Sequence, residues 1–251
     1  MNLFLRISIC LTGLVLLGAG IYPVQRQYRI KEALTQLSSQ EWYDRDEAVE
    51  VLGHICAKEA IPDIIKLLQH NNPGVRQMAV NALIELGAKE ALPDIIKLLQ
   101  DNDPKVRPYA ILALEELSAK EAIPTITKLL NDPTVRSSAI VALGRLGARE
   151  AIPQITKLLQ DNNPRIYWLA VDALGKLDAR ESIPELVKVL DDKDKYTRGI
   201  TAIVLVELGA KDEVPAKSIT DIRLVLKLGG DPARARAALK ELGVEVPEEK
   251  K

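Results

Sequence analysis

The chain has 251 residues, 27% of them charged and 47% apolar, which excludes a disordered composition and allows one large or two small domains. A net charge of −1 excludes the basic excess that proteins gripping nucleic-acid phosphates carry. Two cysteines, Cys10 and Cys56, leave no disulfide framework and no metal-type cysteine pair, and Cys56 reads as a small buried packer.

In chain order, residues 7–24 ("ISICLTGLVLLGAGIYPV") come first and carry no charge. Their length approaches the minimum for a membrane span, Tyr22 takes an interface-like position, and Arg26, Arg29 and Lys31 follow. The expectation is a protein anchored in a membrane by a single N-terminal helix, with residues 1–24 as the anchor. The alternative is export after cleavage of a signal peptide, with Arg6 as its charged start and "GAG" as the small residues for cleavage.

Residues 25–56 read as a divergent N-terminal repeat in which "DRDEAVEVLGHI" forms a helix. Asp46, Glu50 and His54 share one face of it at a spacing of four, and are read as a solvated acidic edge rather than a metal site. No metal and no cofactor is expected.

From residue 57 the chain repeats itself. "AKEAIP" (57–62) returns as "AKEALP" (88–93), "AKEAIP" (119–124), "AREAIP" (148–153), "ARESIP" (179–184) and a frayed "AKDEVP" (210–215). A fixed period of this size marks stacked units. In residues 57–87, Ile61, Ile64, Ile65 and Leu68 fall on one helical face, and Pro62 sits in the first turn, where its missing N–H costs little. An Asx-Pro pair opens a second helix at Asn72, Asp103, Asp132, Asn163 and Asp231. Gly87, Gly147 and Gly209 suit a left-handed stop, whereas Ser118 and Asp178 are weaker stops at the same place. Residues 57–209 thus hold five repeats. Residues 210–243 read as a capping repeat with Ser218 and Asp221 placed as a capping box, and 244–251 as a charged tail.

The expected fold is all-α: a right-handed α-solenoid of stacked antiparallel helix pairs with about six to seven repeats. "DNDPKVRPYAILALEELS", and "AIPTITKLL" followed by "NDPTVRSSAIVALGRLG", resemble the short HEAT-like repeats first described in phycobilisome lyases, strongly over 57–209 and weakly on either side. The resemblance implies an arginine ladder, here Arg45, Arg76, Arg107, Arg136 and Arg198, tying each repeat to loop acids of the next. Tyr167 breaks the pattern, which implies a looser or kinked stack at that point. The family includes pigment lyases, hydroxylases and binding scaffolds. The iron-binding His-Glu dipeptides of its hydroxylases are not present, because His54 and His70 precede Ile55 and Asn71.

The second helices carry apolar residues on the face that such repeats leave free. Tyr43, Met78, Tyr109, Leu112, Val141, Trp168, Leu169, Tyr196, Ile200 and Ile203 form the candidate protein-binding set. Trp42, Tyr43, Tyr109, Tyr167, Trp168 and Tyr196 all open second helices and are read as an aromatic ridge. Charges of both signs in the same rows, such as Lys176 with Asp172 and Glu207, do not make a phosphate track. The expected function is a non-enzymatic protein-interaction scaffold tethered to a membrane through residues 7–24, with a protein partner and no nucleic acid. The alternative, which rests on the resemblance, is a bilin lyase-like or bilin-binding subunit.

Overall fold

The computed structural model describes residues 22–245, and among them every regular element is helical. The helices gather into two compact units, divided along the chain between Ala122 and Ile123. Unit 1 contains α1 (Tyr22–Leu37), α2 (Trp42–His54), α3 (Ile61–Leu67), α4 (Pro73–Leu86), α5 (Leu92–Lys97) and α6 (Val106–Glu116). Unit 2 contains α7 (Ile123–Lys128), α8 (Arg136–Leu146), α9 (Ile152–Lys157), α10 (Pro164–Lys176), α11 (Ile183–Val189), α12 (Lys195–Glu207), α13 (Ser218–Lys227) and α14 (Pro232–Glu241). Within each unit the helices form stacked pairs: α2, α4 and α6 pack in sequence in the first, and α8, α10 and α12 in the second.

The recurring hexapeptide has a packing cause. Lys58–Ala60 makes one 3-10 turn, and α3 starts at Ile61 with Pro62 in its first turn. Ala57, Ala60 and Ile61 are buried, while Lys58 and Glu59 face water. Ala88, Ala91 and Leu92 repeat this burial, as do Ala148, Ala151 and Ile152. Only a small side chain fits where the turn presses on the neighbouring pair, so alanine recurs at those two places. The fully buried Leu52, Ile64, Leu83, Ile95 and Leu114 form the core of unit 1, and Ile126, Ile140 and Leu143 that of unit 2.

The second helices start and stop through local chemistry. Asn72, Asn163 and Asp231 accept from the N–H groups of Gly74, Arg165 and Ala233. These bonds satisfy donors that a helix start would otherwise leave open. Gly87 and Gly147 end α4 and α8 at φ 63° and 70°. Ser118 and Asp178 hold the same left-handed conformation at φ 56° and 49° without being glycine.

Guanidinium groups join successive repeats. Arg76 donates to the His70 carbonyl at 2.7 Å and grips both Asp101 oxygens at 2.7 and 2.8 Å. Arg136 bonds the Leu130 carbonyl at 2.7 Å and Asp161 at 2.8 Å. Arg198 bonds the Asp192 carbonyl at 2.7 Å and Asp221 at 2.8 and 3.2 Å. The buried Arg45 guanidinium bonds the Ser39 and Gln40 carbonyls at 2.7 and 2.8 Å.

Three expectations need correction. The membrane-anchored placement is overturned, because no helix among the described residues is long and apolar enough to cross a bilayer. Residues 7–21 of that stretch lie outside the described residues. Tyr22–Val24 open α1, a mixed polar helix that packs Ile30, Ala33 and Leu37 inward and leaves Val24 and Tyr28 exposed. The capping box at Ser218 is not formed: α13 begins with Lys217 at its cap position and no side-chain cap bond. Asp221 turns instead to Arg198, where two charge-assisted bonds outweigh one to a neutral N–H. Cys56 is half-buried at φ 48° and is not a free thiol, so it is no simple core packer.

Candidate functional site

The second-helix face of unit 2 encloses a cavity of about 250 Å³. Trp168 of α10, with Tyr196 and Ile200 of α12, forms an apolar wall. All three are half-buried, so each keeps an accessible surface. Ile203 and Val225 form the floor and are buried. Asp172 and Arg234 supply a charged wall.

The charged wall is a closed network. Arg234 of α14 binds Glu207 through Nε at 2.7 Å and Nη2 at 2.8 Å, and reaches Asp172 with Nη1. Lys176 bonds the other Asp172 oxygen at 2.7 Å. Burial acts to raise the Asp172 pKa, but bonds from Lys176 and Arg234 more than offset it and hold the carboxyl below its ordinary range. The Glu207 bond pushes the Arg234 pKa up against the cost of burial. Lys176 and Arg234 are paired with Asp172 and Glu207, and Asp231 adds one further carboxylate to the lining.

Arg234 was not visible as a site residue in the sequence. It lies three residues after Asp231, whereas Arg76, Arg107, Arg136 and Arg198 each follow their Asx by four, and its Asp172 partner lies 62 residues earlier. The only local signal is an arginine out of register in the capping repeat.

The other candidate residues are spread more widely. Tyr43 is exposed and meets Trp42 edge to face at 6.2 Å on α2. Met78 on α4 and Tyr109 on α6 are half-buried, and Leu112 is 41% exposed. Val141 on α8 is half-buried. Leu169 points into the core at 7% exposure and does not line the cavity. Tyr167 is buried and lines a different cavity. Of the candidate set, Trp168, Tyr196, Ile200 and Ile203 share one cavity. Gly199, one turn from Ile203, faces α13: a Cβ there would lie 2.5 Å from the Asp221 carbonyl oxygen. Among the described residues no three His, Cys, Asp or Glu side chains converge as metal ligands.

Comparison with known proteins bears on this frame. The family model for HEAT repeats matches residues 30–104, 92–166, 131–206 and 152–243. The chain belongs to the HEAT repeat family. Its fold is similar to the complex of CpcE and CpcF of phycocyanin lyase from Nostoc sp. PCC7120, at 24% identity and a TM-score of 0.52 over 91% of this chain and 96% of that one. It is also similar to YibA of Escherichia coli, at 19% identity and a TM-score of 0.58, covering 87% of this chain and 82% of that one. At these identities the likeness is one of fold. No curated protein matches the HEAT chain by sequence.

Proposed function

We propose that this HEAT repeat protein is a non-catalytic binding module that holds a segment of a protein partner on the second-helix face of unit 2. The observation that carries the reading is the cavity of about 250 Å³ that Trp168, Tyr196 and Ile200 line together with the Arg234–Asp172 pair. Partly buried aromatics beside a fixed polar rim have the make-up of interface hot spots. HEAT repeats stack regular helices and leave the residues of one face free to vary, which suits a scaffold. Arg234 and Asp172 are already paired with each other, so an incoming segment is chosen by apolar anchors and by backbone bonds to the rim.

The test is selection of displayed peptides against the full chain, followed by affinity measurement on Trp168→Ala and Tyr196→Ala proteins whose helicity is checked by circular dichroism. Selected peptides should bind each variant at least about tenfold more weakly, as expected for loss of a hot-spot side chain. Peptides that bind both variants as tightly as the natural chain overturn the reading. The visible spectrum of the purified protein tests the bilin alternative in the same preparation.

A further inference from the structure

The ladder has one missing rung, and the acid that should receive it is still in place. Arg76 and Arg136 each bond an aspartate 25 residues ahead, Asp101 and Asp161. At the junction after Arg136, Tyr167 stands in the arginine position, and the residue 25 ahead is Asp192. The Asp192 loop keeps its receiving geometry. Its Oδ1 accepts the Asp194 N–H at 2.7 Å, as Asp101 accepts the Asp103 N–H at 2.9 Å and Asp161 the Asn163 N–H at 2.8 Å. In Asp101 and Asp161 the other oxygen, Oδ2, takes a guanidinium N–H at 2.8 Å. In Asp192 that oxygen has no bond among the described residues.

The space that the rung would fill is open. A cavity of about 530 Å³ lies between α9, α10, α11 and the start of α12, lined by Tyr167 and Asp192. Tyr167 is 8% exposed, and its hydroxyl makes no hydrogen bond among the described residues. Burial first, then the Asp192 charge, push the phenol pKa up, so the hydroxyl stays protonated within electrostatic reach of that carboxylate. The remaining acids around the cavity are engaged. Asp161 holds Arg136 at 2.8 Å, Asp191 meets Lys217 at 3.5 Å, Glu185 meets Lys188 at 3.8 Å and Asp194 accepts the Thr197 N–H at 2.7 Å.

We infer that the Tyr167–Asp192 cavity is a receptor site for a guanidinium group supplied from outside the chain, seated where the missing ladder arginine would lie. A planar guanidinium can bond the open Asp192 oxygen and present a second N–H to the Tyr167 oxygen, which a neutral isostere cannot match with charge. An ammonium ion lacks the flat fork that the same carboxylate loop grips elsewhere in the chain. The site is separate from the second-helix cavity and does not depend on the function proposed there.

The experiment is an NMR titration of the isotope-labelled full chain with methylguanidinium, Nα-acetyl-arginine methylamide, a Gly-Arg-Gly peptide and Nα-acetyl-citrulline methylamide. The three guanidinium compounds should shift the backbone resonances of Asp192 to Asp194, and the citrulline compound should not. Equal response to citrulline overturns the inference on the natural chain, without any variant. Asp192→Asn should weaken arginine binding at least about tenfold, in line with loss of a charge-assisted pair. Tyr167→Arg should abolish it, because the chain's own guanidinium then fills the cavity. Retention of affinity by either variant also overturns the inference. The source is read from the same titrations: methylguanidinium binding as tightly as the peptide identifies a free small cation, and tighter peptide binding identifies an arginine side chain of a partner.

Discussion

Ser118 and Asp178 sit in left-handed backbone at φ 56° and 49°, where Gly87 and Gly147 do the same job in their repeats. A Cβ in that region clashes with the following carbonyl, and glycine does not. Ser118→Gly is therefore expected to stabilise the protein by about 1 kcal/mol, read as a higher urea midpoint at unchanged slope. At Asp172 the residue-scale effect is electrostatic. Lys176 and Arg234 hold its carboxyl below the ordinary aspartate value of 3.8 despite burial. A depressed carboxyl stabilises the fold above its unfolded value, and that contribution disappears as pH falls through the lower folded value. The stability gap between the natural protein and Asp172→Asn should thus be full near neutral pH and shrink below about pH 4. An equal gap at both ends of the range would assign the loss to packing instead of charge.

At the scale of elements, Gly199 sets how closely α13 approaches α12. A Cβ there would meet the Asp221 carbonyl oxygen at 2.5 Å and Val225 Cγ2 at 2.6 Å. Backbone cannot yield as a flexible side chain can, so Gly199→Ala should cost about 2 kcal/mol by pushing α13 away from α12. Thermal unfolding measures the loss, and an unchanged melting temperature would mean that α13 moves freely. Most element boundaries were legible in the sequence because their causes are local. Asn72-Pro73 caps a helix with its own side chain, and the buried alanines of "AKEAIP" recur with the turn they serve. The second-helix face was legible as a row of positions but not as a site. Helical spacing placed Leu169 beside Trp168 and Tyr196, whereas packing turns it into the core. Asp221 likewise looked like a local cap, and its choice of Arg198 depends on how two repeats stack.

For the whole molecule, the two units each contain one tryptophan, Trp42 in the first and Trp168 in the second. Repeat proteins draw stability from neighbouring repeats rather than from one shared core, so distant parts of the chain need not unfold together. Trp168→Phe leaves Trp42 as reporter of unit 1, and Trp42→Phe leaves Trp168 as reporter of unit 2. Fluorescence-detected urea unfolding of these two proteins should give different midpoints, and coincident midpoints would show one cooperative transition.

The ladder bonds also govern how the molecule comes into being. Arg76, Arg136 and Arg198 find their partners 25, 25 and 23 residues ahead. Chains whose contacts are this local close small loops and reach their native form quickly. A nascent chain leaving the ribosome can finish each rung as soon as the next loop emerges. The clasp from Arg234 back to Asp172 spans 62 residues and closes a longer loop than any of those rungs. That clasp is therefore expected to form later than the rungs between neighbouring repeats.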